Sequence, residues 1–299
     1  GTLLSINTET GDVRWQNTDA GCVSTPALNP NDGGVYCGSS TGHMSKVSAA
    51  TGTLVWQHDT GTRALVGGTP AIATKAGKLY IIFTSYGEEA ASGVYCVHEL
   101  VADEAQYGFA WHNQAVSYPA EPNADRRVHA TPALSNDGTA VFVGDETGGL
   151  YKLNVGDGEF AAQRAQLLPG AITGKPLVLA GAVIVATGKN GPGLFARDPV
   201  ALSRLWDNTK GPLQASGGIE GGATLGLNGK TGYVGTRGNS LIAFDVNSGK
   251  ADWMFGEIGF IRGTPAEGVQ FYSVAPSPSP THVPSAEPSA SPSTSPSSR

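Results

Sequence analysis

Charge and sulfur are both scarce in this sequence, and long apolar runs are missing. Asp, Glu, Lys and Arg make up 15% of the 299 residues, against about 25% in an ordinary globular chain. The 19 Lys and Arg are outnumbered by 25 Asp and Glu, for a formal charge of −6. No basic cluster stands out, which excludes the phosphate-binding footprint of a nucleic-acid partner. The longest apolar run, Leu177 to Ala186, is far short of the ~20 residues of a membrane-spanning helix. Gly181 inside it marks a turn between two buried strands. The three cysteines, Cys22, Cys37 and Cys96, lack metal-binding spacing such as C-x-x-C. In the strand register proposed below, Cys22 and Cys37 lie on neighbouring strands. A disulfide and a pair of small buried apolar side chains are both open readings. There is no amino-terminal Met and no signal-peptide pattern; the chain opens on a strand, residues 2–6, the expectation for a fragment or a processed product.

Glycine, by contrast, is abundant: 42 residues, about twice the usual ~7% share. Many glycines with few charges suit short strands and tight turns. All five tryptophans close an eleven-residue frame. Residues 5–15, 46–56, 101–111, 196–206 and 243–253 are these frames, ending at Trp15, Trp56, Trp111, Trp206 and Trp253. A sixth, 152–162, lacks the tryptophan, and Phe160 lies close enough to take its place. The third position holds Asn7, Ser48, Asp103, Asn154, Asp198 or Asp245, short polar side chains that hydrogen-bond the backbone of a following turn. The seventh is Gly11, Gly52 and Gly249 in the frames at 5, 46 and 243, where a hairpin needs positive φ.

The frames start at 5, 46, 101, 152, 196 and 243, so the steps run from 41 to 55 residues. Four-stranded propeller blades have about this period. Between frames, Thr25-Pro26-Ala27, Thr69-Pro70-Ala71, Thr131-Pro132-Ala133 and Thr264-Pro265-Ala266 open new units, and Lys175-Pro176-Leu177 and Gly222-Ala223-Thr224 fill the other two slots. A β-branched or aromatic strand follows each: 35–37, 79–83, 140–143, 183–185, 233–234 and 269–274. The expected fold is all-β, a propeller of six four-stranded antiparallel blades. The ring is expected to close by pairing amino- and carboxy-terminal strands in one blade, which removes the exposed sheet edge.

The frame Ala243-Phe244-Asp245-Val246-Asn247-Ser248-Gly249-Lys250-Ala251-Asp252-Trp253 resembles the tryptophan-docking motif A-x-D-x-x-[TS]-G-x-x-x-W of quinoprotein-like (pyrroloquinoline-quinone repeat) β-propellers. The resemblance covers residues 1–274; it is strong in the frames at 5, 46 and 243 and degraded at 101, 152 and 196. It implies that each tryptophan packs on the neighbouring blade, a structural device without specific chemistry. It also implies two functional branches. In one, pyrroloquinoline quinone and Ca²⁺ sit on the ring axis beside a carboxylate base and usually an adjacent Cys-Cys pair, in an alcohol or sugar dehydrogenase. In the other, the ring is a non-catalytic scaffold or a regulatory domain of a larger enzyme. This chain has no adjacent cysteine pair, half the length of those dehydrogenases, and six blades where they have eight. The expectation is the scaffold branch, with no cofactor and a protein or glycan partner; quinone with calcium is the alternative.

Three catalytic-looking motifs resolve into turns. Gly38-Ser39-Ser40-Thr41-Gly42 matches the nucleophile elbow G-x-S-x-G, which requires a strand-to-helix turn; the repeat aligns it with the hairpin Gly144-Asp145-Glu146-Thr147-Gly148. Gly229-Lys230-Thr231 ends like a phosphate loop, but Thr224 stands where the first glycine belongs and no helix follows. Asp245-Val246-Asn247 begins like a calcium loop, but Gly256 occupies the position of its bidentate glutamate.

Two sets of residues remain as candidate sites. His129, Lys175, Glu220 and Arg262 precede blade openings and so fall near the axial channel, where they could hold an anion, a metal or another ligand. The blade that carries Trp111 has two insertions, 87–93 with Glu88 and Glu89, and 112–127 with His112, Tyr118, Asp125, Arg126 and Arg127. Loops on a rigid ring are where binding usually lies, and the second insertion is the expected partner surface. From residue 275 to 299 the chain is mostly Ser, Pro, Ala and Thr, with Val283 as its one large aliphatic side chain. That composition cannot offset the entropy of folding. It suits an extended, O-glycosylatable tail on a secreted, cell-surface or cell-wall protein.

Overall fold

The computed structural model describes residues 1–265, except 30, 62–65, 87–91, 101–102, 115–127, 129, 162–167, 189–190, 211–216, 257–258, 260 and 262. One compact unit spans Gly1–Glu267. Among the described residues the secondary structure is all β, in six antiparallel sheets.

Four sheets are complete four-stranded blades. The first consists of β3 (Ala27–Asn29), β4 (Gly34–Gly38), β5 (His43–Ser48) and β6 (Leu54–Asp59). The second has β7 (Ala71–Lys75), β8 (Lys78–Ser85), β9 (Gly93–Leu100) and β10 (Asp103–Asn113). The third has β11 (Ala133–Leu134), β12 (Ala140–Gly144) and β13 (Leu150–Asn154), and among the described residues a bridge from Leu153 to Phe160 continues it. The fourth is β14 (Leu177–Val178), β15 (Val183–Thr187), β16 (Gly193–Arg197) and β17 (Arg204–Asn208). The fifth is β18 (Thr224–Leu225), β19 (Thr231–Gly235), β20 (Leu241–Asp245) and β21 (Ala251–Phe255). The sixth sheet is a pair, β1 (Leu3–Ile6) with β2 (Val13–Asn17). The strand expected over 269–274, and with it the closure of the ring, lies outside the described residues, as does the tail.

Each strand order is the simple meander that short hairpins enforce, because antiparallel neighbours need only a two- to five-residue turn. Middle strands are apolar on both faces since a blade is covered on both sides: Ala140–Gly144 and Val183–Thr187 are buried throughout. The cores lie between blades rather than within them. Tyr36, Met44 and Trp56 of the first blade meet Ile81, Phe83 and Tyr95 of the second. Trp111 and Val94 meet Val141 and Tyr151 of the third. Phe142 and Leu150 meet Val185 and Phe195, and Ile184 and Leu194 meet Ile242 and Phe244. At roughly 1.5–3 kcal/mol per fully buried large apolar side chain, these seams are where the ring gains its stability.

A bonded Cys22–Cys37 pair ties the entry to the first blade onto β4, with Cα atoms 5.5 Å apart; of the two open readings, this is the disulfide. Cys96 is free and buried.

Candidate functional site

Two structural devices repeat around the ring, and a channel lies where the innermost strands converge. The first device is the tryptophan clamp. The Trp15 indole N–H donates to the Ala49 carbonyl at 2.8 Å, Trp111 to Val155 at 2.9 Å and Trp206 to Val246 at 3.2 Å. Each acceptor belongs to the next sheet, in its own frame turn. The ring of each indole lies on the seventh-position glycine: a Cβ on Gly52, Gly158 or Gly249 would fall 2.6, 2.5 or 2.3 Å from Trp15, Trp111 or Trp206. These glycines have φ of +75°, +73° and +69°, so the same residue supplies both the left-handed turn and the flat seat for the indole. In the frame of the fourth blade the seventh residue is Leu202, also left-handed at φ +57°.

An asparagine two residues past the tryptophan completes the clamp. Asn17, Asn113 and Asn208 donate from Nδ2 to the carbonyls of Gly52, Gly158 and Gly249 at 2.8, 2.7 and 2.6 Å. The Trp-x-Asn spacing stands in the sequence at 15–17, 111–113 and 206–208, and it is the signal that tryptophan spacing alone misses.

The other aromatics at the frame ends make different contacts. Trp56 is followed by Gln57 and His58 and faces a frame whose seventh residue is Tyr107, which lies in strand β10. Its indole stacks on Tyr107, with centroids 4.5 Å apart, and donates to the Glu99 carboxyl instead of a backbone carbonyl. Trp253 is followed by Phe255 at the asparagine position. It is 47% exposed and tilts over Tyr233 of its own blade at 5.9 Å. Phe160 packs on Tyr151, also within its own blade, at 6.0 Å and stays 42% exposed. A ring without an indole N–H cannot make the clamp's hydrogen bond.

The second device closes the hairpins that resemble catalytic motifs. Ser39 Oγ accepts from the Thr41 and His43 amides at 3.2 and 3.0 Å, while Ser40 is exposed at the turn. In the third blade Asp145 Oδ1 accepts from the Thr147 and Gly149 amides at 2.9 and 2.7 Å, and Oδ2 from the Tyr151 hydroxyl at 2.6 Å. Asn228 Oδ1 caps the Lys230 and Thr231 amides at 2.9 Å. Asp245 Oδ1 accepts from Ser248, amide and hydroxyl. All three motifs are hairpin turns.

The axial channel encloses about 610 Å³ and is walled by the innermost strands of five blades, with Thr264 beside them. Leu28, Ile72, Leu134 and Val178 supply its apolar lining, and Leu28 is 59% exposed there. Thr69, Thr224 and Thr264 add hydroxyls, and Lys175 adds a cation. Threonines also link neighbouring blades at this level: Thr131 accepts from the Thr69 amide at 3.4 Å and Thr264 from the Gly222 amide at 2.9 Å.

Of the four residues expected at the axis, Lys175 lines the channel. Glu220 instead pairs with Arg237 of its own blade at 3.2 Å, and His129 and Arg262 lie outside the described residues. In the expected partner loop, His112 stacks on Tyr95, 3.8 Å between centroids, with Nε2 3.3 Å from the Ser92 carbonyl. Burial lowers its pKa, against the raising effect of that carbonyl. Tyr118, Asp125, Arg126 and Arg127 lie outside the described residues, as do Glu88 and Glu89.

Calcium takes six to eight oxygen ligands, carboxylates foremost. Among the described residues the channel wall carries no carboxylate, and no cluster of three or more His, Cys, Asp or Glu could hold a metal. These residues do not fit a quinone–calcium site.

A family model described as outer membrane protein assembly factor BamB matches residues 1–133 and 102–256. No curated protein matches the chain. Among solved structures, BamB from Moraxella catarrhalis is 15% identical, with 85% of this chain and 82% of that one covered and a TM-score of 0.51. A chain of the mitotic checkpoint complex is 10% identical, with 86% and 73% covered and a TM-score of 0.62. The Cps50 (Swd1) β-propeller domain of Myceliophteria thermophila is 11% identical, with 85% and 80% covered and a TM-score of 0.61. At these identities the likeness is one of fold.

Proposed function

Starting from the fact that the chain belongs to the BamB-like family of pyrroloquinoline-quinone-repeat β-propellers, we propose that it is a non-catalytic scaffold that docks a protein partner at the mouth of its axial channel. The observation that carries this reading is the wall of that channel. Leu28, Ile72, Leu134 and Val178 come from four different blades, so four rigid sheets hold one apolar surface in register. A large apolar side chain 59% exposed, as Leu28 is, is the kind of group that an interface buries. Clamped blades keep that surface preorganised, which lowers the entropic cost of docking.

The Cys22–Cys37 bond favours an oxidising compartment outside the cytoplasm. A secreted or surface-exposed chain with an O-glycosylatable Ser/Pro-rich tail is consistent with that compartment. Among the described residues no helix is long and apolar enough to cross a membrane.

The test places a photo-crosslinking residue at Leu28 and, as a control, at Val200, which is 70% exposed on the turn before β17. A discrete adduct at 28 and not at 200 supports docking at the channel. Equal labelling at both positions refutes it. A saturable absorbance signal with pyrroloquinoline quinone and Ca²⁺, with a raised melting temperature, also overturns the scaffold reading; ligand at a hundredfold over its Kd adds about 2.7 kcal/mol.

A further inference from the structure

The seam between the first and second blades contains a buried cluster of charged and polar groups that the docking surface does not use. Lys46 on β5 is 2% exposed and Glu99 on β9 is 1% exposed. Asp32 comes from the turn between β3 and β4, and Tyr36 from β4. Lys46 Nζ donates to Glu99 Oε2 at 2.8 Å and to Asp32 Oδ2 at 3.2 Å. The Tyr36 hydroxyl lies 2.9 Å from Asp32 Oδ2 and 3.1 Å from Glu99 Oε2. The Trp56 indole donates to Glu99 Oε1. Beside the cluster is a cavity of about 120 Å³ bounded by Asn29, Asn31, Asp32, Thr74, Leu79 and Glu99.

Counting hydrogens shows a shortfall. A tyrosine hydroxyl carries one proton, yet Tyr36 stands between two carboxylate oxygens. If both carboxyls are ionised, one of its two contacts is oxygen against oxygen with nothing between. The charge sum is short as well: one ammonium faces two carboxylates where Lys46 and Glu99 are almost wholly buried, and an uncompensated buried charge is costly. One added proton resolves both. Carried on Glu99 Oε2, it donates to the Tyr36 oxygen, Tyr36 donates to Asp32, and Lys46 and Asp32 neutralise each other. Oε1 is then a neutral carbonyl oxygen, the same acceptor that Ala49, Val155 and Val246 present to the other clamped indoles.

We propose that Glu99 keeps its proton in the folded chain, and that this neutral carboxyl is a pH-sensitive latch joining the first blade to the second. Asp32 is the wrong place for the proton. Burial raises its pKa, but the Gly34 amide, at 2.7 Å, with Tyr36 and Lys46 outweighs burial and holds it low. For Glu99 burial dominates and raises the pKa, against the lowering effects of Lys46, Trp56 and Tyr36. The groups facing Glu99 are Lys46 from β5, Asp32 from the β3–β4 turn, Tyr36 from β4 and Trp56 from β6. Its neighbours within the blade are Leu79 on β8 and Tyr107 on β10, whose hydroxyl donates to the Gln57 carbonyl at 2.7 Å.

A group whose pKa is raised on folding contributes stability that is lost as pH rises. Above the ordinary glutamate value of 4.5, the folded chain holds a proton that the unfolded chain has released. The unfolding constant therefore climbs by up to about tenfold per pH unit until Glu99 ionises in the fold.

The experiment is urea unfolding of the full chain and of Glu99→Gln from pH 5 to pH 9. Glutamine keeps the carbonyl for Trp56 and a donor for Tyr36 but does not titrate. The latch is supported if the unmodified chain loses stability with rising pH more steeply than the variant. Equal slopes overturn it. Should Glu99→Gln fail to fold, ¹³C NMR of the unmodified chain with labelled glutamate carboxyls decides. One resonance with its midpoint displaced upward from the rest supports the latch; all of them titrating together overturns it.

Discussion

The tryptophan clamp makes a quantitative prediction that the fifth blade can test with its own control. Gly249 and Gly229 both lie in hairpin turns of that blade, with φ of +69° and +65°. Replacing either with alanine forces a Cβ into the left-handed region, at about 1–2 kcal/mol. The two also gain the same stiffening of the unfolded chain, so this part of the effect cancels in the comparison. Their surroundings differ. The Gly229 Cβ would meet open space, whereas that of Gly249 would fall 2.3 Å from Trp206 Cζ3 and 2.5 Å from Cε3. No carbon pair tolerates that distance, so the indole must lift. Overpacking of this kind costs about 1–3 kcal/mol, and it strains the Trp206–Val246 and Asn208–Gly249 hydrogen bonds, worth about 1 kcal/mol each. Gly249→Ala is therefore expected to cost about 2–4 kcal/mol more than Gly229→Ala. Urea unfolding followed by far-UV circular dichroism measures both. Near-UV dichroism reads the indole directly and should change for Gly249→Ala alone. Equal costs for the two substitutions would refute the clamp as an energetic feature of the ring.

The Cys22–Cys37 bond closes a loop with a sequence separation of 15, for which chain entropy gives about 3 kcal/mol. Unfolding with and without reductant should differ by about that amount, and Cys37→Ser should remove the difference. Partly buried histidines destabilise the fold in acid. His58, His98 and His112 all have pKa values lowered chiefly by burial, so below about pH 6.5 the unfolded chain binds more protons than the folded one. Stability should therefore fall as pH drops below that value, opposite in sign to the Glu99 effect. Histidine Cε1–H NMR should show all three midpoints below that of a free imidazole.

The fold was legible in the sequence because a repeat multiplies a weak signal. One Trp-terminated frame is a coincidence, but six frames at steps of 41 to 55 residues, five of them ending in Trp, are a period, and a period of that length specifies four-stranded blades. The strands expected around 35–37, 79–83, 140–143, 183–185 and 233–234 all fall within observed ones. The false nucleophile elbow was excluded on the same basis, since the repeat aligns Ser40 with Glu146 in an equivalent turn. The equivalence of the tryptophans was less legible. Trp56 and Trp253 sit in the same frame as the others, yet each lacks an asparagine two residues on, and their contacts are decided by what the neighbouring sheet presents.

The sequence alone thus determined the period, the strand type and the glycine turns, because these depend on residues close along the chain. Tertiary structure alone decided which groups meet across a seam. Glu99 lies 43 residues from Trp56 and 53 from Lys46, near the end of β9, and nothing local to it names those partners. Only the packing of one blade on another buries it and surrounds it with an ammonium, a phenol and an indole. Likewise Lys175 and Glu220 precede equivalent blade openings, but the channel takes the lysine while Arg237 holds the glutamate within its own blade. Local sequence fixes where a side chain starts; the partner that lowers its free energy most comes from a strand the chain reaches tens of residues away.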